Sequence, residues 1–140
     1  MKYALMVRND DLSKKTALKI KESLQNLFIY DEKNPDLVIS IGGDGTILEA
    51  VHQYLNVDCC FVGIHTGTLG FYTDYQIDEV DQFIKDVTSR QFKTMKRYML
   101  EIKINKKDSF QTYYALNELR LDQGLQAQVI HVYIGNVLLE

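Results

Sequence analysis

Leu37-Val38-Ile39-Ser40-Ile41-Gly42-Gly43-Asp44-Gly45-Thr46 runs from five strand-forming residues directly into three glycines set around one acid. The first five are nearly all apolar instead of alternating, which is the pattern of a strand covered on both faces. From Thr46 the period changes, because Ile47, Ala50, Val51 and Tyr54 recur at spacings of three and four and share one side of a helix. The stretch predicts strand, glycine loop and helix in immediate succession.

The same order repeats on either side. Upstream, the apolar run Tyr3 to Val7 gives way to Asn9-Asp10-Asp11, and Ala17, Ile20, Leu24 and Leu27 then follow helical spacing. The run Leu27 to Tyr30 is short and strand-like, and Asn34-Pro35 punctuates the chain before the decisive strand. Downstream, Cys60 to Ile64 returns to strand character, a second glycine-bearing loop follows, and Ile77, Val80, Ile84 and Val87 mark another helix. Strands alternating with helices predict an α/β domain over residues 1–95, a doubly wound, Rossmann-like parallel sheet whose ligands gather in loops at the carboxyl ends of strands. Both glycine loops fall at such ends.

After about residue 95 the period becomes two. Leu100, Ile102 and Ile104 alternate with Glu101, Lys103 and Asn105, and Lys106-Lys107-Asp108 separates them from the aromatic run Phe110 to Tyr114, as in a hairpin. A further strand is expected over Val129 to Ile134, with a turn at Gly135-Asn136 and an end at Glu140, where an edge strand still wants a partner. Residues 96–140 are thus expected to begin a β-rich second domain that is truncated here.

Composition excludes several classes. The chain has 140 residues, 46% hydrophobic and 25% charged, with a single proline, and such a chain folds, because disorder needs few apolar residues and a high net charge. With 16 Lys+Arg against 19 Asp+Glu the net charge is −3, which supplies no general attraction to nucleic acid or to anionic membranes. No apolar stretch approaches the roughly 18 to 20 residues of a membrane span, and the N-terminus has no secretion-type signal. The only cysteines, Cys59 and Cys60, are adjacent and cannot staple distant segments, so they read as thiols of a reducing, cytoplasmic compartment. His52, His65 and His131 are scattered, and neither they nor the cysteines have the spacing of a zinc site.

The first glycine loop carries the chemistry. Backbone N–H groups at a strand-to-helix junction favour an anion, phosphate above all, and glycines permit positive φ angles and a close approach of backbone to ligand. Asp44 is the one side chain there able to accept a proton or hold a cation. The loop has neither the lysine of a Walker motif nor the spacing of a dinucleotide fingerprint. Thr46 and Glu49 also have the spacing of a capping box, which gives Glu49 a structural reading. In the second loop, His65-Thr66-Gly67-Thr68-Leu69-Gly70-Phe71-Tyr72-Thr73, two glycines can bring backbone and hydroxyls to the same crevice. Phe71 reads either as a base-stacking side chain or, with Tyr72, as core, and His65 as a hydrogen-bonded histidine, not a proton carrier. Asn117-Glu118 pairs a carboxamide that donates and accepts with a carboxylate that only accepts, a combination suited to an adenine edge and ribose hydroxyls.

Taken in order, G-G-D-G-T, T-G-x-L-G-F and A-L-N-E make the chain resemble the amino-terminal half of a bacterial NAD kinase, over residues 1–140. The resemblance implies transfer of the γ-phosphoryl group of ATP to the 2′-hydroxyl of the adenosine ribose of NAD. It implies Asp44 as proton acceptor or hydroxyl-orienting group, with Gly45 against the dinucleotide. Gly42, Gly43 and Thr46 would face phosphate, Phe71 the adenine, and Asn117 and Glu118 the adenosine end. It further implies magnesium as the divalent cation, with ligands not visible in the sequence, and a homo-oligomer, dimer or tetramer, of a longer protein whose second half completes the nucleotide site. The first motif is shared with diacylglycerol- and sphingosine-type lipid kinases, which makes these the competing enzyme reading. A nucleotide-binding module without turnover is the competing non-enzyme reading.

Overall fold

The computed structural model describes residues 1–67, 70–106, 109–120 and 131–139. The chain divides into two compact units, Met1–Met99 and Leu100–Glu140.

In the first unit, strands β1 (Lys2–Val7), β2 (Ile29–Tyr30), β3 (Leu37–Gly42), β4 (Cys60–His65) and β5 (Tyr75–Gln76) form one parallel sheet in the order β2-β1-β3-β4-β5. Every residue of β3 is buried, as its uninterrupted apolar run predicts for a central strand. Side chains alternate across it. Leu37, Ile39 and Ile41 join a core with Tyr3, Ile20, Leu24, Ile64, Val80, Phe83 and Val87, under helices α1 (Asp11–Leu24) and α3 (Val80–Ser89). Val38 joins Ala4, Ala50 and Tyr54 on the other face, under α2 (Asp44–Gln53). Helices on both faces make the sheet doubly wound, as expected.

The helices differ from expectation in their limits. Leu27 lies beyond α1 and is exposed, because α1 ends at Leu24 and its buried stripe is Ser13, Thr16, Ile20 and Leu24. Ile77 belongs to a 3₁₀ turn, Ile77–Glu79, and is exposed, while Phe83, absent from the expected stripe, is buried on α3 with Val80 and Val87. Helix α2 begins at Asp44, two residues before the expected start.

Register brings the functional loops level. Val7 pairs with Ile41, and Gly42 pairs with His65, so β1, β3 and β4 end on one line. The order 2-1-3-4-5 reverses between β1 and β3, and the crevice outside such a reversal is where open α/β sheets bind ligands.

The second unit holds two antiparallel hairpins, β6 (Leu100–Lys106) with β7 (Ser109–Ala115), and β8 (Val132–Ile134) with β9 (Val137–Leu139). Gly135 turns the latter with φ of 61°, a left-handed conformation that glycine adopts without a β-carbon clash. The expected turn residues Lys107-Asp108, the expected strand residues Val129 and Ile130, and Glu140 lie outside the described residues, as do Thr68 and Leu69 of the second glycine loop.

Candidate functional site

The two glycine loops meet through Asp44. Its carboxylate accepts the backbone N–H of Phe71 at 3.0 Å on Oδ1 and 2.9 Å on Oδ2, and that of Tyr72 at 2.9 Å on Oδ1. Asp44 is the first residue of α2, where a negative charge is favoured by the helix dipole. One carboxylate is thus fixed between the loops that follow β3 and β4, with two N–H donors occupying only part of its accepting capacity.

Gly43 is the N-cap, and Thr46 sits at the third helical position with its Oγ1 accepting the Gly43 N–H at 3.4 Å. This overturns the Thr46–Glu49 capping box. Because the helix starts two residues early, Thr46 is the residue that reaches back, and Glu49 is an exposed residue inside the helix.

The glycines serve space, not backbone handedness. Among the described glycines only Gly135 has positive φ, so the expectation of positive φ in the first loop is not met. A β-carbon on Gly42 would run into Thr46, and one on Gly70 would stand 2.5 Å from Thr73 Oγ1, 2.6 Å from His65 Cδ2 and 3.1 Å from Asp44 Oδ1. A β-carbon on Gly45 would meet nothing within 4 Å, so this position opens on free space at the start of α2.

Several residues that sequence reasoning passed over support this edge. Arg8, directly after β1, donates from Nε to Asp10 at 2.6 Å and from Nη2 to the Thr66 carbonyl at 3.5 Å. Its Nη1 would stand 3.9 Å from a β-carbon on Gly43 and 3.8 Å from one on Gly67, so the cation lies beside both loops. Asp10 caps α1 through the Ser13 N–H at 3.0 Å, and its carboxyl is held well below the usual range, first by the Arg8 hydrogen bond and then by those from Ser13. Buried Ser13 and Thr66 share a hydrogen bond of 2.7 Å, and the Thr66 N–H donates to the Gly42 carbonyl at 2.8 Å, tying α1, the second loop and β3 together. The available signal was positional: Arg8 follows the strand next to the glycine-loop strand in an alternating βα pattern.

Phe71 is 79% exposed, which removes the core reading for this side chain and leaves its ring open to a ligand. Tyr72 is partly buried, with the Arg97 guanidinium 5.5 Å over its ring. Asn117 and Glu118 belong to the second unit, exposed in the segment after β7. Cys59 and Cys60 are free thiols, and burial pushes Cys59 up to about 11. Among the described residues no three His, Cys, Asp or Glu side chains are grouped to hold a metal ion, and no helix is long and apolar enough to cross a membrane.

Residues 6–92 match the ATP-NAD kinase N-terminal domain. An NAD kinase of Lysinibacillus sphaericus is 39% identical over 122 residues, covering 84% of this chain and 46% of that protein. NAD kinase 1 of Bacillus cereus is 40% identical over 139 residues, covering 96% and 52%. An NAD kinase of Staphylococcus aureus is 38% identical over 123 residues, covering 84% and 46%. The chain spans about half the length of these relatives. In fold it is similar to yeast NADH kinase, solved in complex with NADH, at a TM-score of 0.70 and 21% identity over 84% of this chain and 44% of the other.

Proposed function

The chain belongs to the ATP-NAD kinase family, and on that premise we propose that it supplies the phosphate-facing loops and the proton acceptor of an enzyme that phosphorylates NAD at the 2′-hydroxyl of its adenosine ribose. The observation that carries this reading is the Asp44 carboxylate, fixed between two glycine loops at the carboxyl edge of the sheet by the Phe71 and Tyr72 N–H groups.

In this reaction the 2′-oxygen of NAD bonds to the γ-phosphorus of ATP, the bond from that phosphorus to the β,γ-bridging oxygen breaks, and ADP leaves. The 2′-hydroxyl proton passes to Asp44. Phosphoryl transfer goes through a loose transition state, so aligning the hydroxyl matters more than prior deprotonation, and a carboxylate with oriented lone pairs suits that task. Gly45 gives the dinucleotide room, while Gly42, Gly43 and Thr46 form the turn that faces phosphate. Arg8 adds a positive charge beside them. Phe71 offers an exposed ring to the adenine, and Asn117 and Glu118 are assigned to the adenosine end by their hydrogen-bonding types.

Magnesium bound to ATP would offset the negative charge of the phosphates. Its protein ligands stay unassigned, and Asp44 is the one carboxylate in the first glycine loop that could approach it. The adjacent thiols Cys59 and Cys60, which cannot staple distant segments, support a cytoplasmic protein, and a dimer or tetramer of the full-length chain completes the proposal. The lipid-kinase and non-catalytic readings draw no support from these relatives.

The test is NADP formation from ATP and NAD by the full-length protein, with lipid vesicles as the competing acceptor. NADP is the expected product, and phosphorylated lipid with NAD untouched would overturn the reading. Glu118→Gln is expected to weaken NAD binding more than it slows turnover.

A further inference from the structure

The His65 imidazole is 98% buried, with a relative exposure of 2%, yet it stands at the carboxyl end of β4 among loop glycines instead of core side chains. Its Nδ1 accepts the Gly67 N–H at 3.2 Å. A β-carbon on Gly67 would stand 3.1 Å from His65 Cε1, and one on Gly70 would stand 2.6 Å from Cδ2. On the first loop, a β-carbon on Gly43 would lie 3.9 Å from Nε2. The ring therefore fills the space that three glycines leave, touching residues 67 and 70 of the second loop. The next two N–H groups, those of Phe71 and Tyr72, are the ones that hold Asp44.

We propose that His65 is a positioning residue: by holding Gly67 through Nδ1 and filling the space beside Gly70, it sets where the Phe71 and Tyr72 N–H groups stand and thereby orients the Asp44 carboxylate. This rests on the reading of Asp44 as the proton acceptor. His65 itself takes no proton from substrate, and its contribution is geometric. A displacement of about 1 Å at a reacting group costs on the order of 10²-fold in rate, so a loop anchor of this kind acts on kcat.

The chemistry of the anchor makes the test specific. Asparagine places its Oδ1 on the same carbon position that carries Nδ1 in histidine and can accept the Gly67 N–H. Leucine has similar bulk and no acceptor, and glutamine carries its acceptor one atom farther out. In the full-length protein, His65→Leu and His65→Gln should lower kcat by roughly 10- to 100-fold with KM for NAD and ATP changed by less than about threefold, while His65→Asn should recover most of the rate. Hydrogen exchange at the Phe71 and Tyr72 amides supplies a reading independent of turnover. Exchange should be slow in the wild type and in His65→Asn, and fast in His65→Leu.

Three results overturn the proposal. These are unchanged exchange at both amides in His65→Leu, unchanged kcat despite lost protection, and a His65→Asn protein as slow as His65→Leu while still folded. A wild type that makes no NADP but shows the expected exchange pattern would instead overturn the kinase reading and leave His65 as the anchor of the loop.

Discussion

The two glycine loops stand side by side and use glycine differently. After β3, the first loop contributes a carboxylate, and its Gly45 faces open space. After β4, the second loop contributes N–H donors to that carboxylate, and its Gly70 is enclosed by Thr73, His65 and Asp44. On the proposed function, Gly45 of the first loop is left open for a ligand, while the second loop holds the first. The difference separates two reasons for a glycine that look identical in a sequence: room for something that binds, and room for the protein itself.

The strongest way to break this division of labour is Asp44→Asn. It keeps one acceptor oxygen for the second loop but removes the proton acceptor, so turnover of the full-length protein should fall by roughly 10² to 10⁴, or about 3 to 5 kcal/mol of barrier. An unchanged rate would take Asp44 out of the mechanism. Gly70→Ala comes next. Its methyl group would collide with His65 and crowd Asp44, and a reduction in kcat of about 10²-fold is expected with the loop displaced. Crystallography or amide exchange on that variant would show whether the Phe71 and Tyr72 contacts to Asp44 are lost.

Ser13→Ala tests the support beneath both loops. It removes the 2.7 Å partner of Thr66 Oγ1 and leaves that buried hydroxyl only its 3.4 Å bond to the Gly42 carbonyl, and urea unfolding should show a loss of about 0.5 to 1.5 kcal/mol. Gly45→Ala sharpens the comparison from the other side. The position is exposed in the first turn of α2, so stability should stay level or rise by up to about 1 kcal/mol, while NAD affinity falls. Weakened folding with intact binding would reverse the assignment of that glycine.

The smallest effect is that of acid. The Asp10 carboxyl is held down by Arg8 and Ser13, and that of Asp31 is held down to about 2, first by its hydrogen bond from Lys2. Groups lowered in the folded state stabilise it fully above their unfolded values near 4, and that contribution is lost as pH falls through the folded values. The urea midpoint should hold between pH 7 and 5 and decline below about pH 4, modestly, because both pairs are partly exposed to solvent.

Much of the fold was legible because its signals are local. The unbroken apolar run of β3, the helical spacing of Ile47, Ala50 and Val51, and the change to a period of two after residue 95 all correspond to observed elements. Where reading went astray, a tertiary choice was responsible. Leu27 keeps helical spacing with Leu24, yet α1 stops at Leu24 and the chain turns through Phe28 toward β2. Thr46 and Glu49 satisfy the capping-box spacing, but the helix nucleates at Asp44, which no spacing rule distinguishes from a start at Thr46. At the site, the glycine loop and its acid stood out by composition. Arg8 did not, because a lone arginine after a strand gains meaning only when the neighbouring strand ends level with it.

By itself the sequence determined that strands alternate with helices, that β3 is covered on both faces, that residues 100–114 form a hairpin, and that one acid sits among glycines at a strand end. These follow from side-chain periodicity and from the steric freedom of glycine, which are properties of neighbouring residues. Only the tertiary structure decided that Asp44 is held by N–H groups 27 and 28 residues away, that Arg8 lies beside both loops, and that Gly70 clears space for His65 while Gly45 opens on free space. Those facts depend on the register of β3 against β1 and β4, which is set by how both faces of the sheet pack and is written in no single stretch of chain.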